Sequence, residues 1–204
     1  MRFDPLITVM GAAPWLPQAN VDTDVIIRIE RLTSLPRGEL GPYGLESLRY
    51  HEDGSEDPGF VLNQPMFRGA PFLLTGENFG CGSSREGAVW ALQEMGVRCV
   101  IAPSFGDIFF SNCFQNGILP ICLPARAVES VARACAGGAP LGVDLAQQLL
   151  LPPDREALPF TVDPLRREAL LNGLDDIGLT LKDDALVRAW QERDRKARPW
   201  AWPA

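Results

Sequence analysis

The sequence predicts an α/β fold built on a largely parallel sheet. Three observations carry this: an apolar run at 72–75, an amphipathic stretch at 85–95 with a second apolar run at 97–102 behind it, and a further helix and strand at 104–116 and 118–123. Strand, loop, helix and strand in succession argue for parallel pairing. With 204 residues and 46% hydrophobic content, the chain can bury a sizeable core. Nothing in its length demands more than one compact domain, taken as 1–204.

The elements follow in chain order. The run Leu6-Ile7-Thr8-Val9-Met10 follows Asp4-Pro5 and leads into Pro14, so it lacks the flanks of a signal peptide. No segment is long enough to span a bilayer, and a cytoplasmic protein is expected. Residues 20–27 read as a turn and then a strand. Residues 35–64 hold many Gly, Pro and charged side chains around Pro36-Arg37-Gly38 and Asp53-Gly54, and a loop of that length is expected to be functional and partly mobile until a partner and substrate settle it. Phe72-Leu73-Leu74-Thr75 is a buried strand. The helix at 85–95 sets Ala88, Ala91, Leu92 and Met95 on one face and stops at Gly96. In the helix at 104–116, Ser104 and Asp107 have capping-box spacing and Asn116-Gly117 is the stop. A helix at 126–136, strands at 141–145 and 160–162, and helices at 165–171 and 184–195 complete the pattern. The last residues of this helical tail, 199–204, are expected to be a poorly ordered end.

A formal charge of −7 without a Lys/Arg cluster excludes a nucleic-acid footprint, which needs concentrated positive charge. An anionic substrate must then be held by a few placed arginines. The five cysteines, Cys81, Cys99, Cys113, Cys122 and Cys135, are odd in number and scattered, which reads as reduced thiols. No C-x-x-C pair exists and His51 is the one histidine, so the chain offers no convincing zinc or iron-sulfur ligand set. If a metal takes part, another chain holds it.

The stretch TGENFGCGSSREGAVWALQEMG, residues 75–96, concentrates the chemistry. Taken alone, a helix start explains much of it: Ser83 caps, Glu86 reaches back, and glycines allow the turn. Yet one serine suffices as a cap, and glycines on both sides of Cys81 suggest close backbone approach. A helix N-terminus with free N–H groups and a nearby arginine is a ready site for a carboxylate or phosphate. A Walker loop needs G-K-[ST], and a dinucleotide fingerprint needs a third glycine where Arg85 stands. A nucleophile elbow needs G-x-S-x-G and a histidine base. A cluster-free hydrolase using Ser83 or Cys81 lacks a base, since His51 lies in a charged loop.

ENFGCGSSRE, with NVDTDVII upstream, VIAPSFGDIFFSNCFQNGILPI downstream and LLNGLDDIGLTL near the end, resembles the small subunits of 3-isopropylmalate dehydratases, the swivel-domain subunits of the aconitase superfamily. The likeness runs over nearly the whole chain with its motifs in order. It implies a swivelling β/β/α three-layer domain with a mixed, largely parallel sheet. It also implies a heterodimeric hydro-lyase that interconverts 2- and 3-isopropylmalate in leucine biosynthesis. The large subunit would carry the [4Fe-4S] cluster and this chain none. Its substrate would be a small dicarboxylate.

Residue by residue, the resemblance implies that Ser83 is the alkoxide base that moves the proton α to a carboxylate. Gly82, Ser84 and the helix start supply its setting of N–H donors. Arg85 is implied to grip a substrate carboxylate, where a planar bidentate donor outperforms lysine. Asp24, in Asp22-Thr23-Asp24, is implied to orient an arginine or serine, though a turn or cap role also fits it. Arg37 lies in the loop that reaches the variable end of the substrate, with Leu35 and Leu40 as neighbours for an isopropyl group. Two departures from the family pattern stand beside the chemistry: Arg28-Ile29 replace a usual Pro-Lys, and Gly87 replaces a usual histidine after Ser-Ser-Arg-Glu. They leave open a paralogue acting on citramalate/citraconate or dimethylmalate, and a non-catalytic anion-binding partner subunit.

Overall fold

The computed structural model describes residues 3–153 and 155–203. Its strands are β1 (Thr8–Gly11), β2 (Trp15–Leu16), β3 (Phe72–Thr75), β4 (Cys99–Ala102), β5 (Leu119–Cys122), β6 (Leu141–Asp144), β7 (Leu149–Leu151) and β8 (Leu158–Pro159). The helices are α1 (Thr23–Ile26), α2 (Ile29–Ser34), α3 (Glu46–Arg49), α4 (Glu86–Glu94), α5 (Asp107–Gln115), α6 (Ala125–Cys135), α7 (Pro164–Asn172), α8 (Asp176–Thr180) and α9 (Asp184–Ala197).

The parallel and antiparallel pairings separate into two sheets. One, in the order β2-β3-β4-β5, is parallel throughout; the other, β1-β6-β7-β8, is antiparallel throughout. Alternation along the parallel strands decides what each face meets. Phe72 and Leu74, Cys99 and Ile101, and Leu119 and Ile121 enter one core with Leu141, Val143 and Leu150 of the antiparallel sheet and Val128 and Val131 of α6. Leu73, Val100 and Ala102 turn the other way, onto Ala88, Leu92 and Phe109 of α4 and α5. A β/β/α sandwich results, in which the parallel sheet is the middle layer and is buried on both faces.

Several expectations need correction. Residues 23–26 form a helical turn rather than a strand, because Asp22 accepts a hydrogen bond from the Val25 N–H (2.8 Å) while Ile26 and Ile27 are buried. Ser104 does not cap α5: the helix begins after Gly106, and the Ser104 hydroxyl accepts from the Asn78 N–H (2.8 Å). Phe160 and Val162 are buried outside any strand, since the paired residues are Leu158 and Pro159. The triplet at β7 and the helix α8 were not anticipated. Residues 35–64 fold into short helical turns whose Leu40, Leu45 and Leu62 are buried against the α4 side of the core. Pro199–Ala201 is a 3-10 turn rather than a loose end, and the Trp202 indole N–H donates to Asp194 (3.0 Å) on α9. Ala204 lies outside the described residues.

Candidate active site

Loops leaving the carboxyl ends of β2, β3 and β4 converge at the start of α4, the side of a parallel sheet where ligands bind. Backbone bonds tie them together. The Phe79 N–H donates to the Ser104 carbonyl (3.1 Å) and the Gly106 N–H to the Phe79 carbonyl (2.9 Å). The Gly80 N–H donates to the Val21 carbonyl (2.7 Å), and the Thr23 N–H to the Cys81 carbonyl (3.0 Å). Gly80 lies at φ 71°, and a Cβ there would stand 2.2 Å from the Phe109 ring. A side chain at this position would push α5 off the loop, so the glycine is what lets the two approach.

Neither serine caps the helix. The N-cap of α4 is Arg85, without a side-chain cap bond, and Glu86 accepts from Asn116 Nδ2 (2.8 Å) instead of reaching back. Among the described residues the Ser83 hydroxyl has no hydrogen-bond partner, and no N–H from Gly82 to Glu86 has a backbone acceptor. Orphan donors at a helix start, in a segment where Gly82, Ser83 and Ser84 are exposed, form a place for negative charge.

Arg85 pairs with Asp24 across the two loops, the arginine side chain being 18% exposed and the aspartate 55%. The cap residue of α1 is Asp22, which leaves Asp24 available for this ion pair. Ser83, Ser84, Arg85, Gly82 and Asp24 are thus gathered at one place.

Arg37 is not among them. Its guanidinium donates to Gln93 Oε1 (2.6 Å) and Asn116 Oδ1 (3.0 Å) and lies over the Trp90 ring at 4.9 Å. Gln93 is seven residues beyond Glu86, a displacement of about 10 Å along the helix axis. Asn116 is 5% exposed and joins Arg37, Trp90 and Gln93 to Glu86 in one partly buried polar network. No local signal in the sequence foretells that network, because its members come from three separate segments, Arg37, the α4 residues and Asn116.

Gly87 and Leu32 fit one another: a Cβ at Gly87 would lie 2.4 Å from Leu32 Cδ2. The space a larger residue would take is filled by α2. Arg28 makes an ion pair with Glu46 (3.4 Å) and Ile29 is 46% exposed. Cys81 is half-buried beside Ser83, while burial drives the Cys99 and Cys113 thiols up and lifts Cys135 to about 11. Among the described residues no group of three or more His, Cys, Asp or Glu is placed to hold a metal, and no helix is long and apolar enough to cross a membrane.

Comparison with known proteins gives this arrangement a context. Residues 3–126 match the Aconitase C-terminal domain family. The chain is 53% identical over 193 residues to the 3-isopropylmalate dehydratase small subunit of Rhodospirillum centenum, covering 94% of this chain and 95% of that one. It is 48% identical to the protein of the same name from Parvibaculum lavamentivorans, covering 97% and 99%. Among solved structures, the 3-isopropylmalate dehydratase of Methanocaldococcus jannaschii superposes with a TM-score of 0.67 at 27% identity, covering 91% of this chain and 99% of that one.

Proposed function

The chain belongs to the 3-isopropylmalate dehydratase small-subunit family of the aconitase superfamily, and from that premise we propose that Ser83, Arg85 and Asp24 form its half of an isopropylmalate isomerase site. The observation that carries this reading is the meeting, at one helix start, of the Asp24–Arg85 pair with a Ser83 hydroxyl and N–H groups from Gly82 to Glu86 that have no hydrogen-bond partner among the described residues. A relative more than half identical over the same length bears the dehydratase name.

In this reading Ser83 takes the proton α to a carboxylate and returns it to the neighbouring carbon after the double bond has formed. A serine does this only where its oxyanion is favoured, and the amide donors and the Arg85 charge favour it. The released proton stays on Ser83 Oγ until rehydration. Arg85 holds the substrate carboxylate. A guanidinium has five N–H donors, so it can keep Asp24 on one edge while it receives the substrate on another. Asp24 fixes the plane of that guanidinium.

A [4Fe-4S] cluster on the large subunit would supply the Lewis acid for the departing hydroxyl. This chain's part is the proton and the carboxylate. For Arg37 the geometry supports a brace between residues 35–64 and α4 rather than a substrate contact in the isolated chain.

The test is anaerobic reconstitution with the cognate large subunit, comparing turnover of isopropylmalate, citraconate and dimethylmalate by the native chain and Ser83→Ala. Loss of a general base commonly costs about 10²–10⁴-fold, and a drop of that size in isopropylmalate turnover with an intact complex is expected. Turnover of a different acid would reassign the substrate. Full activity of Ser83→Ala would end the base assignment.

A further inference from the structure

Thr23 touches the serine loop twice. Its N–H donates to the Cys81 carbonyl (3.0 Å) and its hydroxyl donates to the Ser83 carbonyl (2.9 Å), so one residue clasps the chain on both sides of Gly82. Thr23 is 1% exposed, and a buried hydroxyl with its one acceptor removed has no water to turn to.

The geometry of the peptide unit gives this clasp a chemical consequence. In a trans planar peptide the C=O and the N–H of the next residue point in opposite directions. A Cys81 carbonyl turned onto Thr23 aims the Gly82 N–H away from it; a Ser83 carbonyl turned onto Thr23 does the same for the Ser84 N–H. Away from a buried Thr23 is toward the open side, where Gly82, Ser83 and Ser84 are exposed and neither N–H has an acceptor among the described residues. Gly82 at φ 87° is the joint that lets both carbonyls face the same way.

We infer that Thr23 is a positioning residue that orients the Gly82 and Ser84 amide donors, and with them Ser83, toward the reacting substrate. The inference rests on the reading of Ser83 as base. Thr23 never touches substrate; it acts by holding two peptide planes. A residue with this task needs a buried hydroxyl and a free N–H together. Valine, with the same shape, keeps the N–H and loses the hydroxyl.

The experiment uses the reconstituted complex and isopropylmalate. Thr23→Val is expected to lower kcat at least tenfold with KM changed less than threefold, and Thr23→Ser to stay within threefold of wild type. In a Ser83→Ala background, Thr23→Val is expected to add less than a twofold further loss, since both act through the same group. Wild-type kcat in a folded Thr23→Val complex, with Ser83→Ala inactive, overturns the positioning role and leaves the base reading standing. Full turnover by Ser83→Ala alone overturns the base reading first. If Thr23→Val does not assemble, Thr23→Ser and Thr23→Ala decide: a tenfold gap between them supports the role, and equal loss overturns it.

Discussion

Replacing Gly87 by alanine sets two known effects against each other. Alanine is favoured over glycine inside a helix by about 1 kcal/mol. Against that, the new Cβ would stand 2.4 Å from Leu32 Cδ2 and 2.8 Å from Cδ1, where carbon atoms rest at roughly 3.5–4.0 Å. Leu32 must retreat by about 1 Å, or α2 must lift from α4, and overpacking of this kind costs about 1–3 kcal/mol. The net expectation is a destabilisation of about 1 kcal/mol, or a fall in Tm of about 2–4 °C for a chain of this size. Leu32→Ala removes the obstruction, so the pair should be non-additive: Gly87→Ala in the Leu32→Ala background should show its helix gain, with a coupling of about 1–2 kcal/mol. Urea unfolding of the four proteins in the cycle, followed by circular dichroism, measures it. A stabilised Gly87→Ala single variant, or effects that simply add, would refute the claim that Leu32 fills the position. An imidazole at this position likewise has no room while Leu32 stays.

Three further outcomes can be checked on the same material. The Thr75 hydroxyl is fully buried and has no hydrogen-bond partner among the described residues; Thr75→Val keeps the shape and should raise stability by about 1 kcal/mol in urea unfolding, whereas a loss would reveal a partner for the hydroxyl. Iodoacetamide on the folded chain at pH 8 should label half-buried Cys81 and exposed Cys122 while sparing Cys99 and Cys113, whose thiols are buried and shifted upward. Mass spectrometry showing Cys99 or Cys113 modified before Cys81 would contradict the burial pattern. Incubated with isopropylmalate deuterated at the carbon α to the carboxylate, the free chain should leave the label in place while the assembled enzyme moves it to the neighbouring carbon, because exposed Ser83 is a poor base in water. Transfer of the label by the free chain would show that no partner is needed to make the serine basic.

The middle layer and the serine loop were legible because both are local patterns. Each parallel strand is a short apolar run, each crossover helix has one apolar face, and Gly-Cys-Gly-Ser-Ser-Arg-Glu is contiguous. What failed was what tertiary context decides. Val25-Ile26-Ile27 is a β-branched run with the local signature of a strand, but Asp22 caps it into a turn and the core takes both isoleucines. Which strands pair antiparallel is set by the partner, so the split into two sheets had no local signature. The fold adds what no sequence pattern shows of Arg37: its guanidinium donates to Gln93 and Asn116.

The division of labour at the site follows from how its parts are held. The segments that meet there are joined by backbone bonds, Thr23 to Cys81, Gly80 to Val21 and Phe79 to Ser104, and these do not depend on the side chains at the rim. Exposed residues nearby such as Arg28 and Ile29 can therefore change without moving Ser83. The side chains proposed to carry the chemistry hang from this frame with few partners: among the described residues Ser83 has none for its hydroxyl, and Arg85 is held by Asp24. A group kept free in this way gains a task only when something covers it. The proposed large subunit is then required for more than the cluster proposed for it, because excluding water is what turns a row of amide donors and one arginine into a field strong enough to hold a serine oxyanion.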